Sequence, residues 1–419
     1  IFHISNETQN YEIVSESCGG AHRQWGLFDK NDNSDGKMFV YARGPLHVRD
    51  ISDFTNAVQT LNNGIHGREI RDIPIQPGQS GSNEILFVTA SEDTTLKLCS
   101  FNTDSGKITQ YWTQRKHVSG LQRAKFISSS LLISCSGREE LFLWELHKSD
   151  DDYPFLNLRE SLPSASDNPD LRIMDFDFVF HKDREDEFLL TPVYSDSSIK
   201  IWYYTKNGKF QLVLDGKYET CCLFNTAFMT IEDRLVLIVT PTDGHVAYWD
   251  ITEYVPFQTQ NNQLVDIDAN TLSNTFKTEA LPSYLARFPV HQSGTKTLDI
   301  LKNTGTSSLT LVTGGDDNAL GISVFSLKDD GSVHGEQSQL IEKAAASTIT
   351  SVSHFTKDNE NFCMVTSVDQ TLRVWKIAPN NTASLITEQY TTIADTNSLD
   401  IYDNKYAIVG GVGCSVWAL

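Results

Sequence analysis

The segment VDQTLRVWKI (residues 368–377) sets Asp369 six residues ahead of Trp375 inside strand-like sequence, and the same phrase returns along the chain. YSDSSIKIWYY carries Asp196 and Trp202, and PTDGHVAYWDIT carries Asp243 and Trp249. Degenerate copies follow the template. ASEDTTLKLCSF has Asp93 with Cys99 in the tryptophan slot, SCSGREELFLWEL has Trp144 with Arg138 in the aspartate slot, and VGGVGCSVWAL has Gly411 and Trp417. GGDDNALGISVFSL keeps Asp316 and Asp317 and reads as carrying an insertion before Phe325, while SCGGAHRQWGLF has Gly19 and Trp25. A fixed phrase at intervals of tens of residues marks an array of one supersecondary unit.

An apolar strand precedes each copy: ILFVTAS, SLLISCS, EFLLTPVYS, LVLIVTP, LTLVTGG, FCMVTSV and YAIVGG. Each unit therefore reads as an apolar strand, a tight polar turn and a second strand, with Asp243-Gly244 a favoured hairpin turn. A third strand lies upstream (GLQRAKFI, TITSVSHF) and a fourth between units (KITQYW, KFQLVL, ASLITEQY). The aspartate slots are 42 residues (Asp369 to Gly411) to 73 residues (Asp243 to Asp316) apart. Four short antiparallel strands per interval is the cadence of a β-propeller blade, so the chain is predicted to be all-β. Seven good units run from about residue 63 onward, and eight are counted if the unit around Trp25 joins them. The last unit lacks a fourth strand, and NAVQTLNN (residues 56–63) stands where a borrowed outer strand belongs. The expectation is one propeller over residues 51–419, closed by strand exchange between the chain ends. Residues 1–50 then form the tail of a preceding propeller or an extra blade.

A blade is buried on both faces by its neighbours, so its polar groups need internal partners. The turn aspartate accepts hydrogen bonds from turn amides and from a histidine in the preceding loop. That histidine reaches a Ser or Thr hydroxyl, and through it the tryptophan indole. His66, His117 and His291 stand in the expected loops, with Asp317 the matching aspartate of the third. Histidines and tryptophans at these places are read as structural.

Bulk properties narrow the function. The 419 residues carry a net charge of −20, which repels nucleic acid at long range and leaves RNA contact to a local basic patch or a partner. No apolar run approaches the roughly 20 residues of a membrane helix. Seven scattered cysteines, mostly in apolar strands and without a CxxC pair, predict reduced thiols in a cytosolic or nuclear protein, the cytoplasm being the expected place, and no metal site. Gly19-Gly20 and Gly314-Gly315 fall in hairpin turns, so no phosphate- or cofactor-binding loop is read, and no catalytic or metal motif is found.

HGREIRD, LFVTASEDTTLKL, HVSGLQRAKF and LLISCSGREELFLWEL, then VYSDSSIKIWYYTKNGKFQLVL, IVTPTDGHVAYWDIT, MVTSVDQTLRVWKI and AIVGGVGCSVWAL, occur in that order. Together they carry the WD-repeat pattern. They resemble the C-terminal propeller of the large WD-repeat subunit that accompanies the FtsJ-like tRNA methyltransferase acting on the wobble ribose 2′-O position. The resemblance implies a non-catalytic scaffold: the partner enzyme binds S-adenosylmethionine, and this chain docks it and positions tRNA. Family members are longer, with further propellers upstream.

The most basic window is YWTQRKHVSGLQRAKF (residues 111–126), with Arg115, Lys116, Arg123 and Lys125. Arg68 and Arg71 occupy the corresponding loop one blade earlier, and the six cations are read as a candidate patch for phosphates or acidic residues of a partner. HKSDDDY and HKDREDEF read as solvated loops, and residues 24–50 and 258–282 as polar excursions from the ring. Two other readings stand beside the scaffold: a generic WD-repeat adaptor, and a propeller enzyme with a site in its channel. The last needs carboxylates or histidines on the first strands, which read as mostly apolar and hydroxyl-bearing.

Overall fold

The computed structural model describes residues 2–6, 11–16, 22–29, 37–50, 65–79, 81–150, 152–184, 186–219, 221–260, 263–266, 277–302 and 308–419. Every regular element among them is a strand. Blade 1 is formed by Ile70–Asp72, Glu84–Ser91, Leu96–Asn102 and Lys107–Gln114, and blade 2 by Leu121–Phe126, Leu131–Ser136, Leu141–Lys148 and Pro154–Ser161. Blade 3 uses Ile173–Phe180, Phe188–Tyr194, Ser198–Tyr204 and Phe210–Lys217; blade 4 uses Leu223–Ile231, Arg234–Pro241, His245–Asp250 and Ala286–Pro289. Blade 5 comprises Thr295–Lys302, Ser308–Gly315, Leu320–Leu327 and Val333–Ile341. Blade 6 comprises Ile349–Lys357, Glu360–Ser367, Thr371–Ile377 and Ala383–Tyr390. Blade 7 pairs Ala394–Tyr402 with Tyr406–Ala418. That last run doubles back, because the Leu419 amide donates to Lys405 O at 2.8 Å and Gly413 takes a φ of 106°.

The first strands of the seven blades touch in a cycle, blade 7 returning to blade 1. Alternation explains the packing, since neighbouring side chains on a strand point to opposite faces. In the second strand of blade 1, Leu86, Val88 and Ala90 join a cluster with Leu121, Leu132 and Trp144 of blade 2. Ile85 and Phe87 face the other way, to Ile408 and Cys414 of blade 7. Each seam between neighbouring blades holds one such cluster. A fully buried Leu or Phe in one of them contributes about 1.5–3 kcal/mol.

Each seam also carries a side chain on one blade bonded to backbone of the next. The amides of Ala124, Thr226, Phe228 and His354 donate to Asp72, Asp175, Asp177 and Asp299 at 2.9, 3.0, 2.7 and 2.6 Å. Lys125 Nζ donates to Phe176 O at 2.6 Å, Asn225 Nδ2 to Thr295 O at 3.1 Å, and Thr350 Oγ1 to Thr396 O at 2.8 Å. At the closing seam Ile75 N–H donates to Asp400 Oδ2 at 2.9 Å. The first strands are thus richer in charge than the sequence reading held: Asp72, Asp175, Asp177, Asp299 and Asp400 lie on them, as do Arg123 and Lys125. Each of those aspartates accepts the amide of a neighbouring blade.

The proposed closing strand at residues 56–63 lies outside the described residues. Upstream strands form sheets of their own, Phe2–Asn6 with Tyr11–Glu16, and Trp25–Asp29 with Lys37–Ala42 and Leu46–Asp50. The described parts of residues 258–282 pack against the ring. Phe257–Gln260 and Gln263–Asp266 make a hairpin whose Phe257 and Leu264 enter the seam of blades 3 and 4, and Glu279–Ala280 adds a parallel fifth strand to blade 3.

Replacing Asp175 tests the seam bonds. Asp175→Ala strips the acceptor from Thr226 N–H and leaves Arg123 and Lys125 short of their shared counter-charge. The expected loss is about 3–5 kcal/mol in urea unfolding, whereas Asp330→Ala, at an exposed turn, leaves the midpoint unchanged.

Candidate functional site

The turn between second and third strands builds one recurring site. In blade 1, His66 Nδ1 lies 3.1 Å from Asp93 Oδ2 and Nε2 lies 2.8 Å from Thr89 Oγ1, while Gly67 N–H donates to Asp93 Oδ2 at 2.8 Å. Burial holds the His66 ring below the usual imidazole range, against the pull of Asp93. Burial opposes the Asp93 charge as well. The His66 ring, the Thr95 hydroxyl and the Gly67 amide outweigh it and hold this carboxyl well below the usual range.

Blade 2 completes the chain of contacts to the indole. His117 Nε2 lies 2.7 Å from Ser134 Oγ, which also accepts Trp144 Nε1–H at 2.8 Å. Arg138 occupies the aspartate slot, as the spacing says, but the carboxylate comes from Glu140. The Ser136 amide closes this turn on Glu140 O at 2.9 Å, as the Ser91 amide does on Thr95 O at 3.2 Å, so Glu140 sits where blade 1 has Thr95. Its longer side chain brings Oε2 to 3.1 Å from His117 Nδ1. In blade 5, His291 Nδ1 lies 2.9 Å from Asp317 Oδ1 and Nε2 lies 2.9 Å from Thr313 Oγ1. The insertion read before Phe325 is absent. Thr313 pairs with Gly321 as Thr89 pairs with Lys97, which puts Ser323 in the tryptophan slot.

Histidine and hydroxyl occur together, in blades 1, 2 and 5, because each buried group satisfies the other. Four residues ahead of the aspartate slot the other blades have Pro192, Val239, Val365 and Ala407. Their aspartates find substitutes. Asp196 accepts Ser198 N–H at 3.0 Å and Lys217 Nζ at 3.3 Å, and Asp243 accepts the Tyr218 hydroxyl at 3.0 Å. Asp369 accepts Ala346 N–H at 2.8 Å and pairs with Arg373 at 2.8 Å. Trp202 sits in the seam of blades 2 and 3. Trp249 donates to Pro282 O at 3.0 Å and Trp417 to Ser415 Oγ at 2.9 Å, whereas the buried Trp375 indole N–H has no acceptor among the described residues.

The six candidate contact residues separate into two places. Arg68 and Lys116 are exposed and Arg115 is half-buried, all in loops leading into first strands. These loops lie at the end of the ring that carries the aspartate turns, since the Glu92 amide donates to Glu69 O at 3.2 Å. Arg71 stands beside them, held by Glu69 at 3.0 Å and Glu92 at 3.4 Å. Arg123 and Lys125 do not join this patch. They point into the channel, where Lys125 reaches Asp175 at 3.3 Å and Arg123 donates to Asn225 Oδ1 at 2.9 Å. The sequence signal was the period of two: in LQRAKF and IMDFDFVF, Arg123, Lys125, Asp175 and Asp177 each fall on one side of a strand.

A ring of mostly four-stranded sheets joined by these turns defines the class: the fold is a WD-repeat β-propeller. No family model matches it. Over 316 residues, 60% of this chain, it is 20% identical to the tRNA (34-2'-O)-methyltransferase regulator WDR6 of Pongo abelii, and over 306 residues, 56% of this chain, it is 21% identical to the Bos taurus protein of that name. The matched stretches are 28% and 27% of those proteins, so this chain corresponds to little more than a quarter of their length. Among solved structures, U3-55K superposes with a TM-score of 0.54 over 86% of this chain and 98% of that chain, at 14% identity. That likeness shows the fold.

Blade 6 offers a gain-of-stability test. Val365→Thr places a hydroxyl where blade 1 has Thr89, within the seam that holds Trp375. Thermal unfolding is expected to show about 0.5–1.5 kcal/mol of stabilisation, lost again in the double variant with Trp375→Phe.

Proposed function

We propose that this protein is a non-catalytic scaffold of a tRNA 2′-O-methyltransferase complex in the cytoplasm. It holds an FtsJ-like enzyme and orients tRNA so that the wobble ribose reaches that enzyme's active site. S-adenosylmethionine is bound by the enzyme. The observation that carries this reading is the match, along 60% of the chain, to proteins named as regulators of tRNA (34-2'-O)-methyltransferase.

The channel chemistry supports a scaffold over a channel enzyme. Asp72, Asp299 and Asp400 each accept two backbone amides, one from the following residue and one from the next blade. Carboxylates engaged in this way brace the ring and are poorly placed for acid–base work. Exposed guanidinium and ammonium groups on the turn face suit acidic side chains of an enzyme or phosphates of RNA.

Affinity capture of the protein from its own cells is expected to recover an FtsJ-like methyltransferase. Deleting its gene is expected to abolish the wobble 2′-O-methyl group, read by mass spectrometry of tRNA. Undiminished methylation in the deletion strain contradicts the proposal.

Charge reversal addresses the surface. The combined variant Arg68→Glu, Arg71→Glu, Arg115→Glu and Lys116→Glu is expected to weaken enzyme or tRNA binding at least about tenfold, about 1.4 kcal/mol, with the ring still folded by circular dichroism. Wild-type affinity for both removes the patch.

A further inference from the structure

In blades 1 to 6 the first strand slips in register at its second residue, beside the aspartate turns. Such a slip inserts one extra residue and re-aims its side chain. Arg71, Gln122, Met174, Phe224, Lys296 and Thr350 take that place, all half-buried, at the turn end of the channel. Three of them are engaged nearby. Arg71 pairs with Glu69 and Glu92, Gln122 Nε2 donates to Gly120 O at 3.4 Å, and Thr350 Oγ1 donates to Thr396 O at 2.8 Å. The other three, Met174, Phe224 and Lys296, stand on consecutive blades 3, 4 and 5.

Neither Met174 nor Phe224 belongs to an apolar cluster of the ring, so both hold apolar surface that the seams do not use. Lys296 Nζ sits over the Phe224 ring, 3.9 Å from its centroid. On the other side Arg172 is exposed, two residues before Met174, with its stem against Gly137 of the blade 2 turn. Arg172 and Lys296 have no ion pair among the described residues. Carboxylates of the neighbouring turns are committed elsewhere: Asp196 to Lys217, Asp243 to Tyr218 and Arg287, and Asp316 to the Thr348 hydroxyl at 3.4 Å. The result is a short apolar stretch with an unpaired cation at each end.

We propose that the channel mouth over blades 3 to 5 is a docking site for a protein segment in which an apolar side chain lies between carboxylates. The apolar group covers Met174 and Phe224, and the carboxylates meet Arg172 at one end and Lys296 at the other, which fixes the register of the segment. A single-stranded RNA suits the site less. Base stacking uses an open aromatic face, but one face of Phe224 lies under Lys296, and Met174 has no ring. The net charge of −20 also opposes a long phosphate backbone more than a peptide bearing a few carboxylates. The site is separate from the exposed cations Arg68 and Lys116 of blades 1 and 2, and it stands whichever enzyme the chain serves.

Selection of a phage-displayed random peptide library on the full chain tests the site. The enriched peptides are expected to combine Asp or Glu with a large apolar residue. A labelled synthetic peptide of the most enriched sequence is then titrated by fluorescence anisotropy. Arg172→Glu, Lys296→Glu and Met174→Ser, each folded by circular dichroism, are each expected to weaken it at least about tenfold. Lys206→Glu, which changes an exposed cation at the opposite end of blade 3, leaves the affinity as it is, and oligouridylate does not displace the peptide. A library without enrichment, enriched peptides that lack carboxylates, wild-type affinity in any of the three mouth variants, or displacement by oligouridylate overturns the proposal.

Discussion

A blade of this ring has no core of its own. Its two faces are each half of a core that the next blade completes, so the seam is the unit on which the rest depends. Seven apolar clusters, one per seam, supply the non-directional part of that adhesion. The side-chain-to-backbone bonds near the channel supply the directional part and fix which strand lies opposite which. Such bonds suit the place: an inner strand is hydrogen-bonded on one edge only, and its free amides would otherwise face the channel unpaired. An aspartate projecting from the preceding blade meets that need with one oxygen and its own chain with the other.

At the opposite end, the turn networks solve a different problem. A buried imidazole needs two partners, and blades 1, 2 and 5 provide a carboxylate and a hydroxyl together. The relocation of the carboxylate to Glu140 shows that the requirement is for charge at a point in space. The backbone turn is the same in blades 1 and 2, and the side chain two residues later is long enough to reach. Where histidine is missing, Tyr218 and Arg373 approach the aspartate from other directions.

The architecture was legible because its signal is repeated. The strand, turn and aspartate phrases placed Asp93, Asp196, Asp243, Asp317 and Asp369 in matching turns, and His66, His117 and His291 in the loops that bond to them where a hydroxyl is present. Departures came where one position depends on space and not on spacing. Counting residues put an insertion before Phe325, although the strand register there is that of blade 1. Arg123 and Lys125 were grouped with Arg115 and Lys116 because they are near in sequence, but a loop and the strand after it aim side chains in different directions. The partners of those channel cations, Asp175 and Asp177, lie some fifty residues on, and nothing local in LQRAKF announces them.

The closed ring is the claim from which scaffold, turn face and seam follow, and removing its last member tests it most directly. Differential scanning calorimetry of the chain lacking residues 394–419 would bare the faces of blades 6 and 1 that meet blade 7. A closed ring predicts that the single cooperative transition is lost or falls by well over ten degrees, because two seams vanish together. A truncated chain that still melts as one transition near the wild-type temperature would mean that the blades stand without closure, and would contradict the account.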